Sequence, residues 1–188
     1  MPLTCSIQNT MKKLFTLLLS LFTLTYLTSA HKVIIGGTEG NRPLVWSDFT
    51  GSADAASPYH ASTKWRLGYQ TGTVQFMADT TVMPDFGITL ELSNGESWVK
   101  KGRETPELLR HEQGHFDLGL ICMAELLQAV KTLKLTPDNF KPTIQGLFQR
   151  TLSRYHEMGV RYDTETSHGL NKEPQARWSV FFAEQLAK

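Results

Sequence analysis

The second half of the chain carries apolar residues at helical spacing. Thr105, Pro106 and Glu107 form a helix start, with a capping residue, a proline in the first turn and an acidic residue beside it. The positions that then recur along one face up to about Leu133 are Leu108, Leu109, His115, Leu118, Ile121, Cys122, Leu126 and Val130. The pattern predicts one long helix with a single buried face.

Two further helices are predicted after this one. The second runs from about Pro142 to Met158 and is expected to stop at Gly159, and the third runs from about Glu173 to Leu186. The segment between them, Arg161 to Lys172, is polar, contains Gly169 and has no clear period. It is therefore predicted to be a loop, a kind of segment that often carries functional residues.

The first half reads as strands. Predicted strands cover residues 44–46, 62–69 and 73–82, and a hairpin is predicted from 87–92 and 97–100 around Asn94 and Gly95. No repeat or linker divides residues 31–188. The fold class is therefore α+β, with a mostly antiparallel sheet followed by three helices in one domain.

The first thirty residues have the features of a secretory signal peptide. Lys12 and Lys13 precede an apolar run from Leu14 to Leu27, and small residues lead to Ala30. We expect Met11 to be the true start and cleavage to follow Ala30. The apolar run is short for a bilayer span, which needs about 20 residues. The mature domain is thus expected to be secreted or periplasmic, without a stable membrane anchor.

The charge and the cysteine content limit which partners and which metal ligands the chain can have. The 188 residues contain 19 Lys and Arg against 18 Asp and Glu, a net charge of +1. Removal of residues 1–30 would leave 17 − 18 = −1. Such a balance does not favour a nucleic-acid partner. The chain has two cysteines, Cys5 and Cys122, so any metal must be held by His, Asp or Glu.

The long helix contains the pattern HExxH at residues 111–115. Residues four apart lie on one face of a helix, so the imidazoles of His111 and His115 can reach one metal ion. Glu112 lies beside that face and can act on a water bound to the metal without being a ligand. The spacing predicts a site for one Zn²⁺ ion. The alternative is a pair of ordinary helix histidines beside solvated charges.

A third ligand must come from elsewhere in the chain. His168 in the predicted loop is the first choice, and the other candidates are Asp163, Glu165, His156 and Glu157. Tyr162, which precedes these loop residues, is a candidate oxyanion donor. Its alternative role is packing of the loop, with the hydroxyl in water.

The chain resembles a family of bacterial secreted proteins that are predicted to be zinc-dependent proteases and are described mainly as a domain of unknown function. The matching segments are WSDFTG at 46–51, SWV at 97–99, LLRHEQGHFD at 108–117 and YDTETSHG at 162–169, with Gln175 and Trp178 after them. The resemblance implies a zincin-like peptidase in which His111 and His115 bind zinc and Glu112 is the catalytic acid and base.

Two other functions are compatible with the sequence. The same zinc and glutamate chemistry would serve a hydrolase of cell-wall amides, and a secreted binding module could carry an inactive metal site. For the peptidase, the substrate would be a protein or peptide, paired in extended form with the edge of a strand within 87–92 or 97–100. The sequence leaves cleavage preference, regulation and oligomeric state open.

Overall fold

A computed structural model describes residues 31–188. The predicted signal peptide and Cys5 lie outside the described residues. The described part of the chain is one compact unit. Its strands are β1 His31–Ile35, β2 Thr38–Glu39, β3 Ala61–Ser62, β4 Trp65–Gln70, β5 Gln75–Met77, β6 Thr80–Val82, β7 Gly87–Leu92 and β8 Trp98–Val99.

The largest sheet has the strand order β2, β1, β7, β4. β1 is parallel to β7, with Val33 opposite Leu90, whereas β2 and β4 pair with their neighbours in antiparallel fashion. Ile88, Leu90 and Leu92 alternate along β7 and are almost completely buried. This alternation is the period-two pattern of a strand with one core face. The prediction of an α+β fold with a mostly antiparallel sheet is confirmed.

Two short strand pairs lie outside this sheet. β3 pairs with β8, and β5 pairs with β6 around a turn in which Ala78 has a φ of 29°. The strand predicted over 73–82 is therefore a small hairpin. The prediction of a strand over residues 44–46 is wrong, because the residues from Trp46 to Asp48 form a turn of 3₁₀ helix. Asp48 stabilises that turn by accepting a hydrogen bond from the amide of Val45 at 2.9 Å.

The predicted hairpin around Asn94 is also wrong. β7 pairs with β1 and β4, whereas β8 pairs with β3. Asn94 instead connects two loops, because its Nδ2 donates to the carbonyl of Asp48 at 2.6 Å and its Oδ1 accepts from the amide of Gly36 at 3.0 Å. These long-range bonds use the side chain in a way that the local turn pattern does not reveal.

Three helices follow the strands: α1 Pro106–Thr132, α2 Phe140–Thr166 and α3 Lys172–Leu186. The bounds of α1 and α3 agree with the prediction. Thr105 caps α1 by accepting a hydrogen bond from the amide of Leu108 at 3.2 Å. None of the helices within residues 31–188 has both the length and the apolar character needed to cross a membrane.

The second helix is longer than predicted. α2 continues through Gly159 to Thr166, so the first part of the predicted loop, residues 161–166, is helical. A glycine inside a helix costs only about 1 kcal/mol relative to alanine, an amount that tertiary packing can outweigh. Here Tyr162 and Thr166 are fully buried against the other helices. Their packing explains why the helix does not end at Gly159.

α1 lies between the sheet and the other two helices. On the sheet side, a Cβ atom at Gly119 would lie 3.0 Å from side-chain atoms of Leu90 and Trp65. On the opposite side, a Cβ atom at Gly114 would lie 2.5 Å from the hydroxyl of Tyr162 and 2.7 Å from Phe182. Both glycines therefore allow close packing, and Gly114 brings α2 and α3 directly against the HExxH segment.

We expect Gly114→Ala to destabilise the fold by about 1–3 kcal/mol, because the new methyl group would overlap two buried rings. Gly146→Ala on α2 is the matched control. A Cβ atom there would meet only the flexible side chain of Arg150, and helix propensity favours alanine by about 1 kcal/mol. Denaturant unfolding measures both variants. Equal stability of the Gly114 variant and the wild-type protein would contradict the packing argument.

Candidate metal centre

α1 places the two histidines of the HExxH segment side by side. The ring centroids of His111 and His115 are 5.0 Å apart. The Nε2 atoms of both rings point to the same carboxylate oxygen, Oδ1 of Asp163, at 3.0 Å from His111 and 2.9 Å from His115. The one-turn spacing predicted from the sequence thus brings both imidazoles to a single point.

Asp163 is the third member of this group. One ligand atom from each of His111, His115 and Asp163 lies within 4.8 Å of the others, a spacing at which the three residues could hold a metal ion. This group contains Asp163, one of the alternatives named for the third ligand, and does not contain His168, the first choice. His168 lies next to the group, with its Nδ1 3.2 Å from Oδ1 of Asp163, and its side chain is 37% exposed.

The other candidate ligands lie outside the group. Glu165 forms a hydrogen bond with the indole nitrogen of Trp178 at 2.7 Å and an ion pair with Arg161. Glu157 is exposed on α2, where Ser153 donates to it at 3.5 Å. Neither carboxylate belongs to the cluster of potential metal ligands in the described residues.

Asp163 reaches the histidines because α2 does not stop at Gly159. Beyond its last turn, Ser167, His168 and Gly169 have φ values of 49°, 52° and 81°. This left-handed turn folds the chain back onto α1. A Cβ atom at Gly169 would lie 2.9 Å from Cβ of His111, so the turn requires glycine for space as well as for conformation.

The ionisation of Asp163 and His115 reflects the contacts within the group. Burial favours the neutral form of Asp163, but its hydrogen bonds with His111 and His115 prevail and hold the pKa of the carboxyl far below its usual range. Burial also opposes a charge on His115, yet the hydrogen bond with Asp163 and the charge of Glu112 raise the pKa of the imidazole. The group is thus built around a carboxylate that stays ionised.

Glu112 lies beside the three residues and is held in place by Thr63. The Thr63 hydroxyl donates to Oε2 of Glu112 at 2.6 Å, and the same hydroxyl lies 3.1 Å from the backbone oxygen of Glu112. Glu112 is only 3% exposed, but it borders the open cleft described below. Thr63 was not identified from the sequence, because its partner lies 49 residues away.

The structure corrects the predicted role of Tyr162. Its side chain is 0% exposed and does not line the cleft, so its hydroxyl is not placed to contact a substrate. The hydroxyl donates to the backbone oxygen of His111 at 3.1 Å and accepts from Nε2 of Gln175 at 2.7 Å. Its ring stacks on that of His111, with the centroids 4.6 Å apart. Tyr162 therefore supports the HExxH segment from inside the core.

The group of three candidate ligands opens into a cleft of about 880 Å³. One wall is the segment from Pro58 to Trp65, which includes β3, and the opposite wall is α2 with the turn that follows it. Glu112, His115 and Asp163 all border the cleft, and the rings of Tyr59 and His168 meet across it with centroids 4.0 Å apart. A substrate in the cleft would thus reach both the metal ligands and the Glu112 carboxylate.

The strand edge on the cleft is not one of those predicted. β7 has neighbours on both sides, so it cannot accept a further strand. β3 has one partner in the described part of the chain, β8, and both of its residues line the cleft. Its second edge has no strand partner within residues 31–188.

The donor set suits a transition metal. Two imidazole nitrogens and one carboxylate oxygen are typical ligands of Zn²⁺ in catalytic sites, where a further position stays open for water or substrate. The exposed fraction of the side chain rises from 1% at His111 to 17% at His115 and 29% at Asp163. The site is therefore closed towards the helices and open towards the cleft.

The fold and the site together define an α+β domain with a candidate metal centre of two histidines and one aspartate. Residues 46–169 match a family described as a bacterial protein of unknown function (DUF922), and the chain belongs to this family. The match covers more than half of the chain and includes all three candidate ligands. No curated protein and no solved structure matches the chain significantly.

We expect Asp163→Asn to weaken Zn²⁺ binding by more than about 100-fold, because loss of a direct ligand should exceed the roughly 10- to 100-fold cost of losing an outer partner. His168→Ala is the comparison, because it removes only an outer partner of Asp163, and its loss of affinity should stay within that roughly 10- to 100-fold range. Competition with a chromophoric chelator measures both. If the order were reversed, with the His168 variant losing zinc and the Asp163 variant keeping it, the original choice of His168 would be restored.

Proposed function

We propose that this domain is a secreted zinc-dependent metallopeptidase of the zincin type, with His111, His115 and Asp163 as ligands and Glu112 as general acid and base. The observation that supports the proposal most strongly is the position of Glu112. Its carboxylate borders the cleft next to two of the three candidate ligands and is oriented by Thr63. A purely structural zinc site has four protein ligands and needs no such base.

The three candidate ligands fit zinc by their chemistry. Two neutral imidazoles and one carboxylate leave room for a further ligand from solvent. When bound, zinc would lower the pKa of a water molecule and polarise the carbonyl group of a substrate. The chain's own groups would supply the proton transfers.

Glu112 is the group that would move these protons. Its carboxylate would take a proton from the attacking water and then deliver it to the leaving amine. The hydrogen bond from Thr63 occupies one carboxylate oxygen, Oε2, and leaves Oε1 for the proton. Because Thr63 belongs to the same cleft wall as β3, it would also fix the base relative to the substrate.

The cleft is suited to an extended peptide. The second edge of β3 could bind the main chain of a substrate as an added strand. Apolar side chains of Trp65, Leu118 and Leu152 contribute to the walls and could receive substrate side chains. Backbone pairing alone would allow peptides of many sequences to bind, so these contacts with the cleft walls would determine which substrate side chains are preferred.

The charges in the cleft favour acidic segments of the substrate. Lys64 and Arg103 border the cleft and form no ion pair within residues 31–188. The two cleft carboxylates, Glu112 and Asp163, are already engaged.

We expect Glu112→Gln to reduce peptide hydrolysis by about 100- to 10,000-fold, the usual contribution of a positioned acid or base, while zinc content is retained. Glutamine can still accept the hydrogen bond from Thr63, so the fold should persist. Glu157→Gln on the exposed face of α2 is the control. Casein hydrolysis and metal analysis of the same preparations give the two readouts.

A wild-type protein that contains one zinc but cleaves neither casein nor peptides would contradict the proposal. Peptidoglycan is the second substrate to test in that case. Release of cell-wall peptides that depends on Glu112, without cleavage of proteins, would instead establish a cell-wall amide hydrolase.

The charge preference predicts that succinylated casein is cleaved with a higher kcat/KM than acetylated casein, since both lack free lysines but only the former carries added carboxylates. Charge reversal by Lys64→Glu or Arg103→Glu should reduce this preference about fivefold, which corresponds to the roughly 1 kcal/mol of an exposed charge pair. Lys134→Glu, outside the cleft, is the control. Equal cleavage of both caseins by the wild-type protein would refute the preference.

A further inference from the structure

The buried side of the metal centre is formed by α3. Gln175 projects from this helix to His111, and its Oε1 lies 3.1 Å from Nδ1 of the imidazole. We propose that Gln175 is a positioning residue that holds a proton of His111 on Nδ1, so that Nε2, which lies 3.0 Å from Oδ1 of Asp163, is the nitrogen left to bind a metal. The inference rests on the proposed function only in treating His111 as a ligand.

The hydrogen bonds around Gln175 determine the orientation of its amide. Nε2 of Gln175 donates to the hydroxyl of Tyr162 at 2.7 Å, and that hydroxyl donates to the backbone oxygen of His111 at 3.1 Å. The hydroxyl proton of Tyr162 is therefore already donated to His111, so the hydroxyl can only accept from Gln175. The Gln175 amide must then present its nitrogen to Tyr162 and its oxygen to His111. An amide oxygen only accepts, so Nδ1 of His111 must carry a proton.

Within residues 31–188, no other acceptor lies close enough to Nδ1 of His111 to replace the amide oxygen. His111 is 1% exposed and Gln175 is 7% exposed, so bulk water has little access to Nδ1. The hydroxyl of Thr166 is 3.5 Å from Nδ1, too far for a good hydrogen bond, and it already donates to the backbone oxygen of Tyr162 at 2.7 Å. Removal of the amide would leave a buried donor without a partner.

The consequence concerns both the tautomer and the orientation of the ring. A histidine ligand binds metal more tightly when its other ring nitrogen donates a hydrogen bond than when that nitrogen has no partner. Loss of the hydrogen-bond partner typically lowers metal affinity about 10- to 100-fold. Here the ring is also stacked on Tyr162, whose position depends on Gln175. The family match ends at residue 169, so α3 would complete the metal centre from outside the matched region.

The test compares three variants of the full chain. Gln175→Met keeps the length of the side chain but removes the acceptor, and we expect about 10- to 100-fold weaker Zn²⁺ binding by chelator competition. Gln175→Glu keeps an acceptor for Nδ1 and should retain affinity within about threefold of wild type. Ser179→Ala, one turn further along α3, controls for changes in the helix and should bind zinc like wild type.

Two further measurements separate positioning from loss of fold. Circular dichroism and unfolding of the metal-free variants report stability, and NMR of ¹⁵N-labelled histidine reports the ring protons. The metal-free wild-type ring should carry a slowly exchanging proton on Nδ1, independent of the contact of Nε2 with Asp163, and this Nδ1 proton should exchange rapidly in the methionine variant. Both expectations refer to the metal-free protein, so they hold even if zinc binding or catalysis fails.

The proposal is overturned by any of three results. The first is a folded Gln175→Met variant with wild-type zinc affinity. The second is a Gln175→Glu variant that binds zinc as weakly as the methionine variant at unchanged stability. The third is a wild-type His111 ring with a proton on Nε2 and none on Nδ1. The NMR result decides the question even if the methionine variant does not fold.

Discussion

The close approach of α1 and α2 at Gly114 is the constraint on which the candidate metal centre depends. At this position the hydroxyl of Tyr162 occupies the space that any side chain on α1 would need. The same hydroxyl donates to the backbone oxygen of His111, and the next residue on α2, Asp163, meets both histidines. A shift of α2 large enough to admit one methyl group would move the carboxylate away from the two imidazoles. Packing and ligation are thus coupled through two adjacent residues.

The parts of the site that could be predicted from the sequence are the local ones. His111, Glu112 and His115 lie within five residues of one helix, so their geometry follows from helical periodicity alone. Asp163 is about fifty residues away and was only one of several candidates. The local pattern predicts a helix stop at Gly159, which would place Asp163 in a loop, whereas α2 continues to Thr166. The helix continues because burial of Tyr162 and Thr166 outweighs the cost of the glycine, a tertiary effect that a local pattern does not contain.

In the fold, too, the local features could be predicted from the sequence and the long-range contacts could not. The helix α1 was predicted to within a residue, because its cap and its apolar face are both encoded locally. The pairing of the strands could not be predicted in this way, because β1 pairs with β7 across more than fifty residues and β8 pairs with β3. Asn94 has the sequence of a hairpin turn, but its side chain connects the loops at Gly36 and Asp48. Strand register of this kind depends on contacts between distant loops, which composition and alternation do not specify.

The distribution of solvent access around the ligands favours a reactive site over a structural one. His111 faces the dry interface of the three helices, where Gln175 and Tyr162 satisfy its polar atoms. Asp163 faces the cleft, and Glu112 borders the same space. A structural zinc site would close this side with a fourth protein ligand. In this domain, the side that no protein ligand closes faces an open cleft, and a carboxylate borders that cleft. A metal held by the three residues would therefore contact solvent or substrate, next to a group able to transfer protons.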